Sequence, residues 1–314
     1  MTPSRPCVAV IDIGSNSIKA LVARQSDDGT MVTLLSQAIE ARISAGINQT
    51  PPRLSAEGMQ NGLTAITELM ALIAPHQPIH VQVVATSAVR DALNGDDFQR
   101  QVQAATGHQL RILSGSEEAN LIGRGLRCDP SLPTARNFYI FDLGGGSLEC
   151  LRFVARQVEQ AVSLQLGCVR MTEKFVTDRS REIPSHEAAR IAEHTLRILQ
   201  QSGFQFSLPA GFVAIGTGGT MATVRAMLAA RAGLPFEEQS PLITAEVLKQ
   251  LSTELGRLNL PARQKLAGLP PARADVFPAA LATLVAIAGA GGISEFHHSL
   301  YNLRYGVAAE LLER

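Results

Sequence analysis

Residues 141–149 read FDLGGGSLE, an aspartate closing an apolar run, then three glycines, a serine and a glutamate. Glycine loses more conformational freedom on ordering than any other residue, so three in a row between two carboxylates call for a use. Without side chains in the way, backbone N–H groups can turn inward as a concave anion nest that a phosphate approaches closely. A glycine-rich hairpin turn is the alternative for this segment taken alone. The pattern occurs twice, however. VIDIGSNSIKALVA aligns with IFDLGGGSLECLRF and places Asp12 on Asp142, Gly14 on Gly144 and Ser17 on Ser147, always 130 residues apart. Two such loops suit two domains facing one phosphate chain across a cleft.

Other residues carry weaker signals. AIGTGGT (214–220) follows a strand pattern and opens a helix; its N–H groups and threonines suit an anion or a hydroxyl, or form a plain strand-to-helix turn. Glu117 and Glu118 sit at a predicted helix start, where acidic residues also complement the helix dipole. Adjacent helix positions lie roughly 100° apart, so only one of the two can face a given cleft. Arg90 follows a strand, where its planar fork could grip phosphate or simply meet solvent. His297–His298 lacks any metal-binding spacing and reads as ordinary structure. Neither GxxxxGK[ST] nor GxGxxG occurs.

The elements that must position these residues follow from periodicity. CVAVIDIG, SIKALVARQ and MVTLLSQAIEARIS alternate and predict three antiparallel strands, with turns at Gly14–Ser17 and Asp27–Gly29. A helix capped by Ser55 and ending before Pro75 follows. Then come a strand (IHVQVVAT), helices near SAVRDAL and DDFQRQVQAAT, a strand (QLRILS) and a helix (SEEANLIGRGL). CDPSLPTARN predicts a linker. Strands NFYIFDLG, SLECLRFVA and QVEQAVSLQL reopen the pattern, and helices dominate the remainder apart from a strand at GFVAIG. Strands first and helices later, twice over, predict a duplicated α/β architecture.

Composition narrows the function. The 314 residues carry 28 basic and 28 acidic side chains, so no general nucleic-acid or membrane footprint is expected, and a polyanion must be bound by a local basic groove. Hydrophobic residues at 46% with aromatics at 4% predict an aliphatic core. The four scattered cysteines read as buried thiols of a reducing compartment. No signal-peptide core precedes the first strand, and PAALATLVAIAGAGG is too short to span a bilayer. A cytoplasmic location is expected.

Taken together these motifs resemble the exopolyphosphatase/guanosine-pentaphosphate phosphatase (Ppx/GppA) family, in the actin–Hsp70–sugar kinase superfamily. The likeness runs through VIDIGSNSIK, ATSAVRDA, LSGSEEANLI, DLGGGSLE, SLQLGCVRMTEKF, ARADVFPAALATL and LRYGVAAELL. Leu148 departs from the family's Thr and Tyr305 from the Glu of many members, and a short form without the helical C-terminal domains of longer members is expected. The resemblance implies two actin-like (ribonuclease H-like) α/β domains facing an interdomain cleft, residues 1–125 plus 298–314 and residues 126–297. It implies an exopolyphosphatase that releases terminal orthophosphate from inorganic polyphosphate by Mg²⁺-assisted water attack, with Mn²⁺ as a substitute. Guanosine pentaphosphate (pppGpp) 5′-phosphohydrolysis is the alternative, and a non-catalytic polyphosphate or alarmone sensor the remaining one. A homodimer is expected, without nucleic-acid or membrane partners.

Carried onto matching positions, Glu118 would activate or orient water and Glu149 would act on water or metal. Asp142 and Asp12 would hold Mg²⁺. Ser15, Asn16, Ser17, Arg90, Gly144, Gly145, Gly146 and Ser147 would grip phosphate, joined by Gly216, Thr217 and Gly218. Lys19, Arg24, Arg90, Arg124, Arg170 and Arg273 are the candidate groove cations; so short a groove favours short or medium chains.

Overall fold

A computed structural model describes residues 6–45, 48–132 and 136–314; residues 133–135, inside the expected linker, and residues 1–5 lie outside it. The chain divides into two compact units, residues 1–133 with 301–314 and residues 134–300.

In the first unit, β1 (Cys7–Ile13), β2 (Ser17–Gln25) and β3 (Met31–Glu40) form an antiparallel meander. Every residue of β1 is buried, because β1 is flanked by β2 on one side and by β4 (His80–Ala85), which runs parallel to it, on the other. The intervening helix α1 (Ala56–Ile73) starts where the Ser55 hydroxyl accepts from Gly58 N, and it buries Ala65, Ile66, Leu69 and Ile73 along one stripe. A single helical turn α2 (Ser87–Arg90), then α3 (Gly95–Thr106), β5 (Leu110–Ile112) and α4 (Gly115–Leu126) complete the run. Two expectations shorten. The third strand stops at Glu40 rather than Ser44, with Arg42 turning at φ 48°, and the helix near SAVRDAL closes at Arg90.

The second unit repeats the plan. A meander of β6 (Phe138–Leu143), β7 (Leu148–Val154) and β8 (Gln157–Leu164) is followed by α5 (Cys168–Phe175) and α6 (Ser185–Gln201). Next come β9 (Val213–Thr217), α7 (Gly218–Ala232), β10 (Leu242–Thr244), α8 (Ala245–Gly256), α9 (Leu260–Arg263), α10 (Phe277–Gly291) and β11 (Glu295–His298). The sheet orders are β3-β2-β1-β4-β5 and β10-β11-β9-β6-β7-β8. Both contain the three-stranded meander with parallel strands added beside its first strand, so each unit is an actin-like domain, the second with β10 as an extra antiparallel edge. β10 and β11 were not expected from the sequence, since three or four residues carry too little periodicity to show. His297 and His298 pair with Ile215 and Gly216 of β9, which keeps β11 in the second unit.

All four cysteines are free thiols. Helix α10 is apolar and buried almost throughout. Among the described residues no helix is long and apolar enough to cross a membrane.

The last helix, α11 (Leu303–Leu312), belongs to the first unit and crosses α4 at close range. A Cβ on Gly306 would run into the Leu121 carbonyl, leaving no room for any side chain. Arg304 Nη1 donates to Ala20 O at 3.1 Å, and the Tyr305 hydroxyl lies 2.9 Å from Thr33 Oγ1, tying the helix to β2 and β3. Gly306→Ala is expected to lower stability by about 1–3 kcal/mol through overpacking, seen as a lower urea midpoint. A midpoint equal to wild type would show that the helices can separate without cost.

Candidate active site

The two Asp-hairpins are built alike. Asp12 pairs with Lys19 across β1–β2, and Asp142 with Glu149 across β6–β7, at equivalent register positions. Each turn closes by the same bond, Gly14 N to Ser17 O at 3.2 Å and Gly144 N to Ser147 O at 3.0 Å. The carbonyls between are tied back to a separate segment. In the first unit, Ser15 O accepts from Ser44 N (3.2 Å) and Ser44 Oγ (3.1 Å), and Asn16 O accepts from Arg42 N (2.8 Å). In the second, the carbonyls of Gly144, Gly145 and Gly146 accept from Cys168 N (3.0 Å), Val169 N (2.9 Å) and Gly167 N (3.3 Å) around the start of α5. Arg170 Nε adds a bond to Gly146 O at 3.1 Å. Across a planar trans peptide the C=O and the following N–H point opposite ways. The N–H groups of Asn16 and Ser17, and of Gly145, Gly146 and Ser147, therefore face away from these anchors, as an anion cradle requires.

The acidic pair at α4 separates into two roles. Glu117 completes a capping box: its carboxylate accepts from Ser114 N at 2.9 Å, and its own N–H bonds Ser114 Oγ at 3.2 Å. The Ser114 backbone and hydroxyl, with Arg111, hold its carboxyl down to about 2. A lowered value means this cap stabilises fully above the ordinary 4.5 and is lost as pH falls through about 2. Glu118, 5% exposed, instead turns inward and pairs with Arg90 Nη1 at 2.8 Å. That same Nη1 donates to Leu113 O at 3.0 Å. Ser15 Oγ lies 3.3 Å from Ser87 Oγ, so the first loop adjoins the helical turn that carries Arg90.

Around Asp142 the second unit gathers several of its expected residues. Glu149 stands opposite on β7, and Thr217 opposite on β9. Glu149 is 4% exposed and accepts from Ser163 Oγ at 2.9 Å. Gly218 opens α7 at φ 83°, where a Cβ would collide with the Asp142 carboxylate, so only glycine fits. Thr217 Oγ1 donates to Ser299 O at 3.0 Å and is thereby engaged, and Gly216 lies within β9. Like charges directly opposite on a ladder are destabilising, and Mg²⁺ sites commonly use one or two carboxylates completed by phosphate and water. The Asp142–Glu149 pair fits such an ion; among the described residues no cluster of three acidic, His or Cys side chains does. Asp12 differs, because its opposite neighbour is a cation. Burial pushes its carboxyl up, while Lys19 and Arg304 pull it back.

Residues not singled out for these loops emerge from long-range contacts. Glu40 accepts from Ser17 Oγ at 3.0 Å and from Asn16 Nδ2. Arg273, 6% exposed, lies against Gly219 at the start of α7, with Thr223 Oγ1 at 3.3 Å and Thr220 Oγ1 at 3.4 Å. No carboxylate among the described residues pairs with it. Arg124, by contrast, is taken by Glu313. Leu148 opposes Leu143 and Leu164 and belongs to the core. Side chains alternate along a strand, so a Leu at this position leaves the Glu149 face intact.

A family model for the Ppx/GppA phosphatase family matches residues 21–314. The chain belongs to this family. Three solved structures share the fold end to end. An exopolyphosphatase from Cytophaga hutchinsonii is 21% identical with a TM-score of 0.87, the match covering 98% of each chain. The Ppx/GppA family member from Aquifex aeolicus is 23% identical with a TM-score of 0.78, again over 98% of each chain. An exopolyphosphatase-like protein is 24% identical with a TM-score of 0.85, over 98% of this chain and 99% of its own. At these identities the likeness establishes the Ppx/GppA fold.

Proposed function

We propose that this Ppx/GppA phosphatase is a phosphoanhydride hydrolase that removes orthophosphate from the end of inorganic polyphosphate. The repeated loop carries the reading: in both units the carbonyls are anchored behind, and the N–H donors face the other way. Phosphoryl transfer demands positioning and charge neutralisation more than covalent chemistry. Glu118, held by Arg90, orients a water molecule toward the terminal phosphorus and takes its proton. A P–O bond forms to the water oxygen as the bridging P–O bond breaks, leaving orthophosphate and a chain one unit shorter. Loop N–H groups, Ser15 and Ser147 hold phosphate oxygens. Arg273, a buried cation with no carboxylate partner among the described residues, gains a counter-charge from a bound anion. Mg²⁺, held by Asp142 with Glu149, would neutralise phosphate charge when bound.

Polyphosphate is favoured over pppGpp by the aromatic distribution. A guanine base needs a face to stack on, yet in the first unit Phe98 is fully buried and Tyr301 and Tyr305 pack against each other in a tilted pair with centroids 4.3 Å apart. Phosphate release from polyphosphate and pppGpp, measured side by side, tests this; faster turnover of pppGpp would reverse it.

Chain length follows from cation supply. With Arg124 engaged by Glu313 and Arg170 bonded to Gly146 O, few groove cations remain to track a long polyanion. Distributive action on short to medium chains is expected, giving a gradually shortening population on gels. Long chains that vanish one at a time, leaving only intact polymer and orthophosphate, would show a processive enzyme instead.

A further inference from the structure

Glu40, the last residue of β3, is the cross-strand partner of Ser17, and its Oε2 accepts from both Ser17 Oγ and Asn16 Nδ2. A carboxylate only accepts hydrogen bonds, so the Asn16 amide must turn its nitrogen toward Glu40 and its Oδ1 away. Asn16 is 4% exposed, and no donor among the described residues reaches that Oδ1. A buried acceptor without a donor is costly, so the position calls for a donor from outside the chain. Phosphate oxygens are acceptors and cannot fill it. The single Ser17 hydroxyl proton is likewise committed to Glu40. We infer that Asn16 Oδ1 takes an ordered water molecule in the reaction site, in place of a phosphate oxygen, and that Glu40 is the positioning residue that aims it. Phosphate contacts of this loop then fall to its backbone N–H groups and to Ser15. Through Ser15 and Ser87 the loop adjoins the turn whose Arg90 holds Glu118, so the loop that carries Asn16 neighbours the hydrolytic machinery.

This inference rests on the hydrolytic reading, and a charge swap tests it separately. In Glu40→Gln the new amide can donate to Asn16 Oδ1, which hides the acceptor inside the protein. Its kcat on tripolyphosphate is expected to fall about 10–100-fold, with the calorimetric Kd for tripolyphosphate changed by less than about threefold. Adding Asn16→Asp restores the match and conserves the net charge of the pair. The glutamine amide donates to one introduced carboxylate oxygen and accepts from Ser17 Oγ, leaving the other carboxylate oxygen for water. The double variant N16D/E40Q is expected to recover kcat to within about threefold of wild type at an unchanged Kd. If Asn16 instead donates to phosphate, the introduced carboxylate must repel it, and Kd weakens more than about tenfold in the double variant. That result, or an undiminished kcat in Glu40→Gln, overturns the inference. Should Glu40→Gln fail to fold, the double variant alone decides. Should wild type turn over neither polyphosphate nor pppGpp, the hydrolytic reading fails, and the calorimetric arm still decides how Asn16 is oriented.

Discussion

Replacing Glu118 by Gln is expected to slow phosphate release by roughly 10²–10⁴-fold, the usual cost of losing a general base, while tripolyphosphate binding persists. The substitution keeps the size of a buried side chain and an oxygen that Arg90 Nη1 can still reach, so the ordering of the site survives. What disappears is the charge that orients water and receives its proton. Glu117 is the internal control. It has the same chemistry one position earlier, but its carboxylate closes the capping box with Ser114. Glu117→Gln keeps an oxygen for Ser114 N and loses only the charge that pairs with Arg111, so it should cost at most about 1 kcal/mol of stability and leave kcat nearly unchanged. Single-turnover rates for both variants, alongside their thermal midpoints, make the comparison. Equal damage to kcat from the two substitutions would remove Glu118 from the reaction.

Removal of divalent metal is expected to abolish activity, and Mg²⁺ to restore it. The argument starts from Asp142 and Glu149, which face each other across one ladder position. Two carboxylates so placed repel unless a cation or a proton comes between them, and Glu149 is buried. Gly218 keeps the space over the Asp142 carboxylate clear of any side chain. Losing a partner that merely orients a metal ligand costs roughly 10–100-fold in affinity, so Asp142→Asn should raise the Mg²⁺ requirement by at least about that factor. Asp12→Asn should raise it less, because Lys19 already stands opposite Asp12. Mg²⁺ titrations of phosphate release, paired with calorimetric Mg²⁺ binding to each variant, test both statements. Full activity in excess EDTA would exclude the metal role.

The hairpins and their repeat were legible in the sequence, because strand alternation and glycine position are local signals that set register between neighbouring strands. The 130-residue offset placed Asp12 and Asp142 at equivalent positions, and both sheets contain the three-stranded meander that the repeat predicted. Glu117 and Glu118 stood at a predicted helix start with room for only one of them in a cleft, and the Ser114–Glu117 capping box of the folded chain made Glu118 the one that turns inward. Family membership was legible for the same reason, since its motifs are short and continuous. The tertiary structure alone decided what anchors those motifs. Glu40 reaches Asn16 and Ser17 only through the pairing of β2 with β3. Arg273 meets Thr220 and Thr223 from some fifty residues away. Short strands such as β10 and β11 exist because a neighbour supplies their hydrogen bonds. Local chemistry specifies a turn or a cap within a few residues, whereas the partner of a buried carboxylate or guanidinium is chosen by whatever the folded chain brings within bonding distance, and no spacing rule encodes that choice.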